Sequence, residues 1–385
     1  MQRGVIALLI AQFLSAFGDN AILFAAIGMV LSDQQTPGWY IAALQAVFLV
    51  AYVVAAPWVG PFADRFSKPR VLLIGNLVKA TGVGLILLGV EPLLAYALVG
   101  LGAAIYSPAK YGILPEMLGD QQLVKANAWI EATTIAAIIF GTVAGGQLAD
   151  YSVRAAFWMV AVSYLMSMLV TFAITKLTPR GGDLKRALTD FHHTLYAFMQ
   201  TPRARFAMLG GSLFWGTAAV LRVLLVTWVP LILATQSASA VSELVLFLGV
   251  GVIIGSGIVP RLIPLQQLHR TRLAGYAMGF CILLFAFVDS VWAARGVLFL
   301  IGIAGGLFIV PINAALQQIG HVGVGSGRAV AVQNFYQNLA MLITVGIYTG
   351  AVAADVHPAT TLLVLGISIL AATLMVARRL ATSTA

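Results

Sequence analysis

The sequence predicts an all-α integral membrane protein: twelve transmembrane helices in two pseudo-symmetric six-helix bundles, with both termini cytoplasmic. Three observations predict it. First, 61% of the 385 residues are hydrophobic and only 9% are charged. A soluble domain carries about 25% charged residues, so this chain lacks the polar surface to face water. Second, the apolar runs have spanning length and do not alternate with period two. That excludes a β-barrel and leaves helices, which satisfy their backbone groups within each span. Third, the basic residues gather in alternate loops, as the positive-inside rule requires.

The spans fall in order at roughly 5–31, 39–62, 71–90, 93–114, 127–149, 154–177, 204–234, 241–261, 273–290, 293–316, 329–351 and 358–377. The longest polar interval, 178–203, separates an N-terminal bundle, 1–177, from a C-terminal bundle, 204–385. With the N-terminus inside, 17 of the 22 Lys and Arg residues are cytoplasmic. They include Arg3, Arg65, Lys68, Arg70, Lys125, Lys176, Arg180, Arg328, Arg378 and Arg379. The outer segments hold two, Arg154 and Arg295, while acidic residues such as Asp33, Glu91 and Asp150 collect there. The net charge of +9 therefore reports topology, not nucleic-acid binding. The first apolar stretch reads as a span, without the cleavage pattern of a secretory leader. The single cysteine, Cys281, excludes an intrachain disulfide, and no Cys/His cluster suggests a metal, so no cofactor is expected.

The halves echo each other. Pro108 and Lys125-Ala126 in the first recur as Pro311 and Arg328-Ala329 at an offset of 203 residues. Arg70 and Arg272 match at 202, and Gly18 and Gly216 at 198. Two related bundles joined by a basic loop describe a transporter whose halves rock about a midplane site. Between spans two and three, "GPFADRFSKPRVLL" resembles the major facilitator signature Gly-x-x-x-Asp-Arg-x-Gly-Arg-Arg, with Ser67 where glycine is common. The resemblance implies the major facilitator fold. Gly60 permits close helix approach. Asp64, Arg65, Lys68 and Arg70 can contact neighbouring helix ends and hold a cytoplasmic gate. The matching loop of the second half, "GSGIVPRLIPLQQLHRTR", has no acidic residue, so any latch is stronger on the first.

Five charges lie inside spans: Asp19, Lys79, Lys110, Glu131 and Arg222. Each would cost about 2.5–3.5 kcal/mol at a lipid-facing helix centre, so each should face the interior, a cavity or another of the five. Asp19 and Arg222 occupy pseudo-equivalent spans and can meet across the pseudo-twofold axis. They read either as a charge pair at a substrate site or as an ion pair fixing helix register. Lys110, beside the helix-breaking Pro108, reads as a cation for a phosphate, a partner for Glu131 or a snorkelling lysine. Glu131 reads as counter-ion of Lys110 or Lys79. Asn20 and the "AVQNFYQN" run, Gln333 to Asn338, add polar groups that also serve as interhelical glue. Phe13, Phe17, Phe24, Phe214 and Trp215 read either as an apolar path for a tail or as ordinary packing.

The stretches "AQFLSAFGDNAILFA", "GAAIYSPAKYGILPEML", "LVKANAWIEATTIAAIIFGTVAGG", "SLFWGTAAVLRVLLVTWVP" and "AVQNFYQN" come from both halves. They resemble the bacterial lysophospholipid transporter (LplT) family over nearly the whole chain. The resemblance implies a multi-pass inner-membrane flippase, not an enzyme. It would carry lysophosphatidylethanolamine and related lysophospholipids to the cytoplasmic leaflet, where the acyltransferase/acyl carrier protein synthetase Aas re-acylates them. It also implies substrate roles for Asp19, Lys110 and Arg222, which match the family's Gly-Asp-Asn, Pro-Ala-Lys-Tyr-Gly and Leu-Arg positions. Arg222 and Lys110 would then take the phosphate and Asp19 the ammonium. Two alternatives stand beside this. A proton-coupled antiporter resembling the drug antiporters would carry Gly-Pro-x-x-Gly-Gly in span five. Here "GTVAGG" has Thr142 in place of the proline. A membrane-embedded acyltransferase would need His-x4-Asp, and none of the five histidines has an aspartate at that spacing.

Overall fold

The computed structural model describes residues 3–32, 39–118, 120–174, 178–179, 181, 183–233 and 238–377. Lys176, Arg180, Asp33, Arg378 and Arg379 lie outside the described residues. Each of the twelve apolar segments corresponds to a helix. In order these are α1 (Arg3–Ser32), α2 (Trp39–Arg65), α3 (Lys68–Leu87), α4 (Pro92–Met117), α5 (Asp120–Tyr151) and α6 (Val153–Thr171), then α8 to α13 after the interval between the halves. That interval contains a further helix, α7 (Ala187–Gln200). The second half comprises α8 (Pro202–Leu233), α9 (Ala238–Leu262), α10 (Thr271–Phe285), α11 (Val291–Val322), α12 (Ser326–Ala353) and α13 (Pro358–Ala377). A short 3-10 turn, Leu265–Arg270, precedes α10.

Among the described residues, ten helices are long and apolar enough to cross a membrane. The segments expected at 273–290 and 329–351 are not among them. α10 has 15 residues, which at 1.5 Å per residue reach about 22 Å of a hydrocarbon core about 30 Å thick. α12 carries Gln333, Asn334, Gln337 and Asn338 on its buried side. The distribution of side chains is that of a lipid-embedded bundle. Val54, Leu77, Leu169, Ile347 and Ile367 are exposed, while Gln12, Ser15, Asn76, Lys79, Asn127 and Glu131 are buried. Apolar groups outward and polar groups inward is the reverse of a water-soluble fold.

The chain forms two compact units. The first comprises Met1–Gly119, Ala136–Leu195 and Gln317–Phe335; the second comprises Asp120–Ile135, Tyr196–Leu316 and Tyr336–Ala385. Within the first unit, helices approach closely through glycines. A Cβ on Gly102 of α4 would lie 2.6 Å from the Gly75 carbonyl of α3. One on Gly141 or Gly145 of α5 would lie 2.5 or 2.6 Å from the Phe17 or Ala21 carbonyl of α1. Gly141 and Gly145 of "GTVAGG" are thus packing residues. Within the second unit, Gly251 and Gly255 of α9 interlock with Gly302 and Gly306 of α11 in the same way. This is the small-residue packing that lets membrane helices associate without a hydrophobic driving force.

The interval 178–203 is not wholly loop. α7 is amphipathic: Ala187, Thr194 and Phe198 are buried, while Leu188 and Tyr196 are exposed. Phe191 packs edge-on against Phe335 of α12, with ring centroids 5.4 Å apart. Asp190 pairs with Arg328 at 3.3 Å.

Candidate functional site

Two polar constellations stand out, both within the first unit. One lies where the sequence carries its facilitator-like signature. Asp64, at the end of α2, is 2% exposed. Its carboxylate accepts from the backbone N–H of Gly327 at 2.9 Å and of Arg328 at 3.1 Å. These belong to the first turn of α12, whose N–H groups have no partner within their own helix. A carboxylate there also opposes the positive end of the helix dipole. Lys68 donates to Asp64 at 2.6 Å and to the Ala63 carbonyl at 2.8 Å, and lies 3.6 Å from Glu116. The approach needs two glycines. A Cβ on Gly60 would lie 2.8 Å from the Arg328 Cα, and one on Gly325, at φ +102°, would lie 2.6 Å from an Asp64 oxygen. Asp64 therefore holds a helix end, as its position suggested. The cation beside it is Lys68. Arg65 is exposed with its guanidinium 6.0 Å from the Phe66 ring, and Arg70 is exposed.

The other constellation surrounds Asp19 of α1. Its two carboxylate oxygens accept from Lys79 Nζ of α3 at 2.8 Å and from the Tyr164 hydroxyl of α6 at 2.9 Å. Lys79 is wholly buried and Asp19 is 22% exposed. Lys79 also donates to Ser15 Oγ at 2.8 Å, and Ser15 donates to Asn76 Oδ1 at 2.8 Å. Asn76 Nδ2 donates to Ser167 Oγ at 2.8 Å, which donates to the Ala11 carbonyl at 2.6 Å. Every donor in this chain points away from the ammonium, so each acceptor in it is satisfied. The Tyr106 and Tyr164 rings stand 4.7 and 5.3 Å from Nζ and add cation–π attraction. Gly18 makes room for this: a Cβ there would lie 2.5 Å from the Tyr164 ring.

Arg222 was the expected partner of Asp19. The structure gives Asp19's oxygens to Lys79 and Tyr164, and Lys79 thereby goes to Asp19 instead of Glu131. Arg222 lies on α8 in the second unit and is exposed. Glu131, 1% exposed on α5 in the same unit, accepts from Asn313 Nδ2 at 2.8 Å. Lys110 of α4 is 9% exposed with Nζ 4.3 Å from the Tyr111 ring. Asn20 donates to the Ala16 carbonyl of its own helix at 2.8 Å. Asn334 of α12 donates to Ser107 of α4 at 2.9 Å, so part of the polar run on α12 does act as interhelical glue. Phe13 stacks on Phe17 at 6.2 Å, and Trp215 meets Phe214 edge-on at 5.3 Å. Ser15, Asn76, Tyr164 and Ser167 went unread in the sequence, because a single serine or tyrosine in an apolar run carries no local signal.

A many-helix membrane bundle with buried charges and a carboxylate clasp on a helix end defines a membrane transporter. Residues 8–345 match the Major Facilitator Superfamily. The lysophospholipid transporter LplT of Photorhabdus laumondii is 45% identical over 365 residues, covering 94% of this chain and 92% of that protein. LplT of Klebsiella pneumoniae is 42% identical over 360 residues, covering 92% and 90%. In fold the chain matches the crystal structure of the human organic anion transporter MFSD10, with TM-score 0.79 at 14% identity over 97% of this chain and 99% of that one. It also matches the E. coli fucose:proton symporter FucP, with TM-score 0.73 at 14% identity over 98% of each. The chain belongs to the major facilitator superfamily and, within it, to the family of the LplT lysophospholipid transporters. It is a multi-pass membrane transporter, not an enzyme.

Proposed function

We propose that this protein moves lysophospholipids, lysophosphatidylethanolamine among them, across the bacterial inner membrane to the cytoplasmic leaflet by alternating access. The observation that carries the reading is the Asp19–Lys79 pair, in a chain that matches lysophospholipid transporters along nearly its whole length. A buried ion pair is a poor stabiliser, because desolvation offsets its attraction. Its retention in an apolar helix, with the carboxylate partly open and Phe13 and Phe17 on the same helix, suits a ligand that is part ion and part hydrocarbon. Asp19 meets the head-group ammonium, Arg222 and Lys110 take its phosphate, and Asn20, Glu131 and Trp215 complete the polar and aromatic lining. Two bundles, 1–177 and 204–385, rock about this site on the 178–203 linker. Asp64, flanked by Arg65 and Arg70, latches the cytoplasmic side in one state. Product delivered inside is the substrate of an acylating enzyme such as Aas.

The test is uptake of labelled lysophosphatidylethanolamine into spheroplasts and proteoliposomes, with and without a proton gradient. Protein-dependent lysolipid movement is expected, and its absence would refute the reading. Asp19→Asn and Arg222→Ala should each impair movement in a folded protein; normal movement by both places the site elsewhere.

A further inference from the structure

We propose that Lys79 is a positioning residue that neutralises Asp19 within the substrate site and thereby widens the range of head groups admitted. The inference rests on the transport reading above and deepens it.

Three observations carry it. Lys79 is wholly buried and Asp19 is 22% exposed, so a head group reaches the carboxylate and not the ammonium. Lys79 therefore acts through Asp19. Next, among the described residues the other side chains in hydrogen-bond or ring contact with the pair are Ser15, Tyr106 and Tyr164, all uncharged. The pair thus presents a net charge of zero. Finally, the ammonium is fixed from behind by the Ser15–Asn76–Ser167 chain, which ends on the Ala11 carbonyl. It remains in place when a ligand amine arrives at Asp19. A neutral pair admits a monoacyl phospholipid of net charge zero and one of net charge −1 without repelling either. With the ammonium gone, the bare carboxylate would repel the anionic lipid. A like charge near contact distance in a partly screened site discriminates by about ten- to a hundred-fold.

The experiment compares lysophosphatidylglycerol, a net-anionic probe, with lysophosphatidylethanolamine, a net-neutral one, in proteoliposomes at a single neutral pH. Lys79→Met keeps the stem length and removes the charge. It should lower the anionic-to-neutral rate ratio by about ten- to a hundred-fold. Asp19→Asn leaves the Lys79 charge unneutralised and should raise the ratio. The double variant Asp19→Asn/Lys79→Met restores a net charge of zero at these two positions and should return the ratio towards that of the parent, whatever its absolute rate. Should Lys79→Met not fold, the opposite displacement in Asp19→Asn and its reversal in the double variant carry the same information. Equal loss of both lipids, with the ratio unchanged in all three variants, would overturn the role of Lys79 while the parent still transports. A parent that moves neither lipid overturns the transport reading itself.

Discussion

Replacing Asp64 by asparagine should loosen the start of α12 from the end of α2. The carboxylate holds two backbone N–H groups and Lys68, at 2.6–3.1 Å. Asparagine keeps one oxygen and turns an NH2 group toward a former donor. One charge-assisted bond, about 1.5–3 kcal/mol, is lost. Lys68, 2% exposed, is left without its carboxylate, and breaking a buried pair costs about 3–5 kcal/mol. Glu116, 3.6 Å from Lys68, recovers part of that. A net loss of about 2–4 kcal/mol shifts the latched population by about 30- to 1000-fold. The reporter is a cysteine at Val332, which is 1% exposed and lies beside Pro57 and Phe191, in a Cys281→Ser background. Maleimide labelling in membranes should accelerate by that factor when opening precedes reaction. A rate within twofold of the Asp64 parent would show that the carboxylate does not hold α12 and refute the reasoning.

Other expectations follow from the same contacts. Gly60→Ala drives a methyl to 2.8 Å from the Arg328 Cα; because the clash is with backbone, it should speed the same labelling even with Asp64 intact. Gly18→Ala places a methyl 2.5 Å from the Tyr164 ring and should cost about 1–3 kcal/mol, read as a lower melting temperature in detergent together with slower lysolipid uptake. Glu131→Gln preserves the acceptor for Asn313 and should melt near the parent temperature, whereas Glu131→Ala strands a buried amide at about 1–3 kcal/mol. On α7, Asp190→Ala removes a pair about a quarter exposed on each side and should cost under about 1 kcal/mol. Phe191→Ala, which removes the ring packed on Phe335, should accelerate Val332 labelling more than Asp190→Ala does.

Helix positions were legible because each span writes its own apolar run. α1 and α8 begin and end within two residues of the segments read from hydropathy, and α10 stops five residues early, at Phe285. α7 also left a signal, since Ala187, Phe191, Thr194 and Phe198 recur at helical spacing. At 14 residues it is too short for a span, and hydropathy alone reads it as polar linker. Asp64 was legible from its signature. That Lys68, and not Arg65 or Arg70, turns toward it is set by the bend at Phe66 and Ser67, where Ser67 is extended, and spacing alone does not specify that geometry. Asp19 was legible as a charge where lipid forbids one, but its partner was not. Sixty residues separate Asp19 from Lys79, and nothing local says which faces of α1 and α3 meet. Pseudo-symmetry pointed to α8 for that partner. The structure places it within the first unit, in a gap opened by Gly18 and Gly102.

The connection between the halves has two mechanically different parts. Of the residues before α7, the described ones (178–179, 181 and 183–186) form no helix, and Gly181, at φ +84°, donates its N–H to the Asp64 carbonyl. Thr201 alone separates α7 from α8, and its carbonyl accepts from Arg205 in the first turn of α8. Lengthening an irregular loop is cheap, about 0.6 kcal/mol per doubling. A residue inserted at Thr201 would instead disturb the start of α8, whose first turn hydrogen-bonds to that carbonyl. A tag or reporter domain therefore belongs near Asp183, and length variation among natural homologues should concentrate there and be absent at Thr201.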